Sequence, residues 1–149
     1  MNQPIIFKDL KENYLALLRP LFETFSCNVG ATVIQQGLPA EYLYLITSGK
    51  AEVSYKPYDG VSITVTHVES GGLFGWSAVV GSDKYTSSAV AIEPLEAVRI
   101  RGNALRKLCQ DHPDAGQDIL GSLASSVSGR WKDANEQVKS ILSVGMQGK

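Results

Sequence analysis

The residues best suited to chemistry in this chain form a hydroxyl-rich run with one cation, Lys84-Tyr85-Thr86-Ser87-Ser88. It closely follows the glycine-centred stretch Phe74-Gly75-Trp76-Ser77-Ala78. Together these side chains offer hydrogen bonds, a single positive charge and aromatic faces, which is the chemistry of holding a small molecule. Groups for bond-making are sparse. His67 and His112 are the two histidines, too few for the ligand sets that metal-dependent enzymes gather. Cys27 and Cys109 lie too far apart for a zinc or iron–sulfur spacing, and neither has a His-containing signature of a nucleophile beside it. The densest basic cluster is Arg99, Arg101, Arg106 and Lys107, read as solvated charge at a strand end and on a helix face.

The bulk composition fits a binding module. A length of 149 residues suits one well-buried core, and 44% apolar with 19% charged residues is near the globular norm. A net charge of −1 supplies no field to attract nucleic acid. Residues Met1-Asn2-Gln3-Pro4-Ile5-Ile6-Phe7-Lys8-Asp9 show no basic start followed by an apolar run, so no secretion signal is expected. No apolar stretch approaches the roughly 20 residues that cross a bilayer. The expectation is a cytoplasmic protein with reduced, packed thiols and no membrane contact.

The elements that must position the candidate residues follow from periodicity. From about Phe7 to Thr24 the spacing of Leu10, Tyr14, Leu15, Leu17, Leu18 and Leu21 predicts a helix, with Pro20 breaking or bending it. From about 25 to 100 short β-rich runs take over: Ala31–Ile34, Leu43–Thr47, Ala51–Tyr55, Val61–Val68, Ser88–Ile92 and Ala97–Ile100. Turn signals every 8–12 residues or so indicate a sandwich or barrel. Asp59-Gly60 marks a hairpin, and alternation after it predicts Val61, Ile63 and Val65 pointing inward, with His67 continuing that parity at a strand end. Asn103 is expected to cap a helix carrying Leu105, Leu108 and Cys109, which stops at Asp111-His112-Pro113. Pro113 then opens a longer helix reaching about Leu142. Along it Leu120, Ala124, Val127, Trp131, Ala134, Val138 and Ile141 alternate at four and three residues, a heptad seam that predicts a parallel homodimer.

That order resembles the cyclic-nucleotide-binding domain of the Crp/Fnr regulators. Gly30-Ala31-Thr32-Val33-Ile34-Gln35-Gln36-Gly37 is similar to the family's early Gly-x-x-aliphatic-aliphatic-x-x-Gly run. Leu43-Tyr44-Leu45-Ile46-Thr47-Ser48-Gly49-Lys50-Ala51-Glu52-Val53 is similar to its aliphatic strand, Ser-Gly turn and next strand, and Gly71-Gly72-x-Phe74-Gly75 to the entry of its phosphate-binding cassette. The resemblance implies a mainly β fold with flanking helices, a double-stranded β-helix or jelly roll carrying a long C-terminal helix. It divides residues 1–149, taken as a single domain, into an N-terminal helix (7–24), a roll (25–100) and C-terminal helices (103–142).

The resemblance further implies a cassette helix whose N-terminal amides face a cyclic phosphate, within a short helix spanning Phe74–Val79 here. In the family an acidic residue after Phe-Gly holds the ribose, and an arginine further on neutralises the phosphate. Here Trp76 occupies the first position and Thr86 the second, so neither the carboxylate nor the guanidinium is present. Lys84, two positions before Thr86 on an expected extended strand, shares its face and stands as a point charge for the same anion. The candidate ligand-binding residues are therefore Phe74, Gly75, Trp76, Ser77, Ala78, Lys84, Tyr85, Thr86 and Ser87. Trp131, on the helix that lies over the pocket in the family, is a candidate lid.

These readings lead to a stand-alone, non-enzymatic regulatory or sensor domain with a divergent pocket that does not bind cyclic AMP in the usual way. No cofactor is specified beyond a small anionic or nucleotide-like ligand. The expected partners are a second copy, through the C-terminal helix, and a regulatory protein. Direct DNA binding is not expected, because Ser143–Lys149 leaves no room for a recognition helix. The alternatives are a fragment of a Crp/Fnr transcriptional regulator and, from a different class, a cupin-like metal enzyme.

Overall fold

The computed structural model describes residues 5–56 and 63–126. Alternation of buried and exposed positions dominates the middle of the chain, and it is realised as two facing four-stranded antiparallel sheets. The first has strand order β1-β8-β3-β6, made of β1 (Glu23–Cys27), β8 (Leu95–Arg101), β3 (Tyr42–Ser48) and β6 (Leu73–Phe74). The second has order β2-β7-β4-β5, made of β2 (Thr32–Ile34), β7 (Ser88–Ala91), β4 (Lys50–Tyr55) and β5 (Ile63–Glu69). The antiparallel pairing of β4 with β5 is the hairpin expected from Asp59-Gly60, which themselves lie outside the described residues.

Both faces of the first sheet are used. Along β3 the side chains of Tyr44 and Ile46 enter the roll interior with Ala51, Val53, Phe74, Ala89 and Leu95. Leu43 and Leu45, on the opposite parity, join Ile100 against the helices. That second core gathers Leu15 and Leu18 of α1 (Glu12–Leu18), Leu105 and Cys109 of α3 (Gly102–Asp111), and Ile119, Leu120 and Leu123 of α4 (Pro113–Ala124). A two-sided strand must be apolar at every position, which is why Leu43-Tyr44-Leu45-Ile46 is an unbroken run. Each of these fully buried leucines and isoleucines contributes about 1.5–3 kcal/mol over its exposed state.

Several expected boundaries are corrected. The helix predicted over 7–24 is a turn of 3-10 helix at Ile5–Phe7, then α1, then a second 3-10 turn at Arg19–Leu21. Pro20 can donate no helical hydrogen bond, and Phe22 beyond it is already extended. The chain then enters β1, so Thr24 pairs with Val98 in a sheet. Leu73–Phe74 form a strand, so Phe74, expected to open the short cassette helix, is extended. His67 is exposed and Val68 buried, the reverse of the expected parity. The register between β4 and β5 shifts at Val53/Ser54, and a bulge exchanges the two faces. Val61 lies outside the described residues, as do the side chains of Ile63 and Val65.

Asn103 does not cap α3. The helix begins two residues earlier than that cap implies, at Gly102, with Arg101 in the capping position and no side-chain cap. The backbone N–H of Gly102 donates instead to the carbonyl of Glu41 at 2.8 Å. Pro113 opens α4 as expected. The described helix ends at Ala124, with Ser125 and Ser126 in a turn, and the other positions of the expected seam, Val127, Trp131, Ala134, Val138 and Ile141, lie outside the described residues.

Candidate functional site

The cassette is built around a reversal at Gly75, whose φ of +86° is the left-handed region that side chains disfavour. A Cβ there would lie 2.8 Å from the carbonyl oxygen of Tyr42. Glycine thus both permits the turn and lets the cassette sit against β3. Phe74 precedes the turn as the last residue of β6, so the helix is shorter and later than expected: one turn, α2, over Ser77–Val80.

The turn sends the following side chains to different cores. Phe74 is buried in the roll and stacks on Tyr44, with centroids 5.1 Å apart and planes 7° apart. Trp76 is also buried, but in the helix-side core with Leu15, Leu43, Ile100 and Leu105. Ala78 is fully buried, and its carbonyl accepts a hydrogen bond from the Arg106 guanidinium on α3. Ser77, half-buried, begins α2 with its hydroxyl 3.3 Å from that of Thr86.

The second half of the expected site is not a continuous strand. Lys84 makes an isolated bridge with Pro39, Thr86 and Ser87 are in a bend, and β7 begins only at Ser88. Lys84 and Thr86 are nevertheless both exposed, on either side of the buried Tyr85. Tyr85, between them, turns inward. Its hydroxyl accepts from the Tyr42 N–H at 3.0 Å and donates to the Tyr42 carbonyl at 2.6 Å. Burial pushes its phenol above the ordinary value, and the hydrogen bond to the Tyr42 backbone offsets only part of that. Ser87 is half-buried, and the hydroxyl of the next residue, Ser88, accepts from the backbone N–H of Gln36 at 2.9 Å. Trp131 lies outside the described residues.

Ser77 and Thr86 are thus brought together at the surface, with Lys84 exposed nearby in sequence, while Phe74, Trp76, Ala78 and Tyr85 are packing groups. A cleft of about 260 Å³ on the first sheet is lined by Thr24, Phe25, Ser26, Thr47, Ser48, Glu96, Ala97 and Val98, and none of the cassette residues contributes to it. Among the described residues no three His, Cys, Asp or Glu side chains gather as a metal site would require.

Sequence reasoning missed a second charged arrangement. Arg99 and Arg101 occupy alternate positions of β8, so both project on the side that carries Leu95 and Ala97. The guanidinium carbons lie over one ring, that of Tyr42, at 4.1 and 4.7 Å from its centroid. The signal was the i, i+2 spacing of the two arginines within a strand, which the reading of the basic cluster as solvated charge did not use.

Fold and cassette together define the class of β-roll effector domains. The family model for the cyclic nucleotide-binding domain matches residues 25–112. The chain belongs to the cyclic-nucleotide-binding domain family. It is 26% identical over 144 residues to the CRP-like cAMP-activated global transcriptional regulator of Mycobacterium tuberculosis, an alignment covering 97% of this chain and 62% of that protein. It is 31% identical over 114 residues to the global nitrogen regulator of a Synechocystis strain, covering 74% of this chain and 49% of the relative. The chain therefore spans about half to three-fifths of the length of these curated relatives. A solved structure from Geobacter metallireducens, that of a candidate cyclic nucleotide-binding protein, superposes with a TM-score of 0.74 at 28% identity, covering 87% of this chain and 98% of that one. None of the described helices is long and apolar enough to cross a membrane.

Proposed function

We propose that this domain is a non-catalytic regulatory sensor whose cassette does not take cyclic AMP in the usual way, and whose ligand is a small anionic or nucleotide-like molecule. The observation that carries the reading is the pair of replacements in their setting. Trp76 fills the helix-side core at the position where the family places a ribose-binding carboxylate, and Thr86 offers a hydroxyl to Ser77 where the family places a guanidinium. A cyclic phosphate in the cassette would then have hydroxyls and backbone amides as partners, but no bidentate cation. The Mycobacterium relative is cAMP-activated, which makes cyclic AMP the first ligand to test.

Isothermal titration of the full chain with cyclic AMP is the test. Absence of binding at micromolar concentrations supports the reading, and a micromolar dissociation constant overturns it. A homodimer through the heptad seam of the C-terminal helix, in a cytoplasmic setting, completes the proposal, supported by the four–three alternation from Leu120 to Ile141. Sedimentation equilibrium of the full chain at two concentrations checks it, a monomer at both being the contrary result.

A further inference from the structure

We propose that Arg99 and Arg101, with Tyr42 as their platform, form an oxyanion site for a phosphorylated small molecule. The site lies on β8 and β3, outside the cassette, and the inference does not depend on how the cassette is read.

The arrangement begins with strand geometry. Residues two apart on one strand stand about 7 Å apart on the same face, a spacing over which two long side chains can converge on one group. The shared ring of Tyr42 brings these two together. A guanidinium placed over an aromatic ring keeps its N–H bonds in its own plane, where they remain available to acceptors. Arg101 donates a hydrogen bond to the Tyr42 hydroxyl at 2.6 Å, which fixes it, and the rest of its donor fork is uncommitted among the described residues.

The existing carboxylate partners are weak competitors. Glu41 lies 3.8 Å from Arg101, beyond hydrogen-bonding distance, and its side chain is 60% exposed. Glu23 meets Nε of Arg99 at 3.2 Å with its side chain 42% exposed. The exposed Arg101–Glu41 pair contributes at most about 1 kcal/mol, and the part-buried Arg99–Glu23 bond occupies only Nε of Arg99. Each carboxylate serves one arginine. A tetrahedral dianion is different, because it presents enough acceptors and charge for both forks at once, and this favours a phosphoryl group over a carboxylate. Burial opposes the charge of Arg99, but hydrogen bonding to Tyr44, attraction to Tyr44 and Tyr42, and the hydrogen bond to Glu23 together outweigh it and raise the pKa of the group.

The experiment is titration calorimetry of the full chain with inorganic pyrophosphate at constant ionic strength. A saturable heat is expected. Arg99→Gln and Arg101→Gln should each weaken binding at least about tenfold, and Arg101→Lys should fail to restore it because an ammonium cannot bond in a fork. Glu41→Gln should tighten binding several-fold, and Lys107→Ala, on the exposed face of α3, should change nothing. If the Gln variants do not fold by circular dichroism, Arg101→Lys and Glu41→Gln decide the matter. The proposal is overturned by an absent heat, by succinate binding as tightly as pyrophosphate, or by unchanged affinity in these variants. Micromolar cyclic AMP binding alongside unaltered pyrophosphate binding would sink the cassette reading and leave this site standing.

Discussion

The hydroxyl of Tyr85 closes on both backbone polar groups of Tyr42, accepting from the N–H at 3.0 Å and donating to the carbonyl at 2.6 Å. One side chain thereby ties the segment after the cassette to the start of β3. The same carbonyl of Tyr42 stands where a Cβ on Gly75 would intrude, so the Tyr42 peptide is the point at which both ends of the cassette meet the first sheet.

Tyr85→Phe keeps the ring and removes both bonds. A part-buried amide and carbonyl then lose a partner, which costs about 1–3 kcal/mol. Urea denaturation should show a lower midpoint with an unchanged m-value. A midpoint equal to that of the parent protein would mean that solvent replaces the hydroxyl without loss.

Alkaline pH should weaken the fold through buried acids whose protonated forms are favoured. Burial pushes the Cys109 thiol up from 9.0 to about 12, and burial also raises the phenols of Tyr44 and Tyr85. For each group the folded state holds its proton more tightly than the unfolded chain. The associated stability is fully present below the unfolded value and is lost as pH rises through the folded one. For Cys109 the window runs from about pH 9 to about pH 12, with a slope of up to about 1.4 kcal/mol per pH unit. Cys109→Ala should flatten the part of the pH–stability curve owed to the thiol, leaving the tyrosine part. Curves of identical slope would show that the thiol ionises as easily in the fold as outside it.

Much of the roll was legible because its signals are local. The runs Ala51–Tyr55 and Ser88–Ile92 each match a strand to within a residue, since alternation and flanking turns are both written in neighbouring residues. What was not legible depends on distant partners. The two-residue strand Leu73–Phe74 exists only because Tyr44 and Leu45 lie beside it. Glu23–Cys27 is a strand because β8 offers an edge, which overrides the helix expected through Thr24. At the site, the positions of Trp76 and Thr86 followed from the motif, but the direction of each side chain did not. Gly75 turns the chain between Phe74 and Trp76, so consecutive aromatics enter separate cores. The role of Tyr85 was equally hidden, because its partner is a backbone 43 residues away.

Gly102 and Gly121 should respond in opposite ways to alanine. A Cβ on Gly102 would collide with the carbonyl of Ala78, the residue at the heart of α2, and backbone cannot yield as a side chain tip does. Gly102→Ala should therefore cost several kcal/mol, since α3 must back away from the cassette. Gly121 has nothing within 4 Å of the same probe position and lies inside α4, where alanine is favoured by about 1 kcal/mol. Thermal melts of the two variants should move apart from the parent in opposite directions. A shared direction would mean that α2 and α3 are not in the tight contact described.

Restoring the missing ligand groups separates what Trp76 does from what Thr86 does. Thr86 is exposed and its hydroxyl contact with Ser77 is 3.3 Å, so Thr86→Arg should fold with a change within about 0.5 kcal/mol. It places a guanidinium at the edge of the cassette, and affinity for cyclic AMP, read by calorimetry, should rise at least about tenfold. Trp76→Glu should behave quite differently. It deletes a buried aromatic, which alone costs about 3–5 kcal/mol, and sets a carboxylate among Leu15, Leu43, Ile100 and Leu105. The double variant should therefore melt far below Thr86→Arg and bind no better than it. Were Trp76→Glu as stable as the parent, the segment after Gly75 would have to swing outward to solvate the charge. The indole would then be a removable cover over the cassette instead of part of the core.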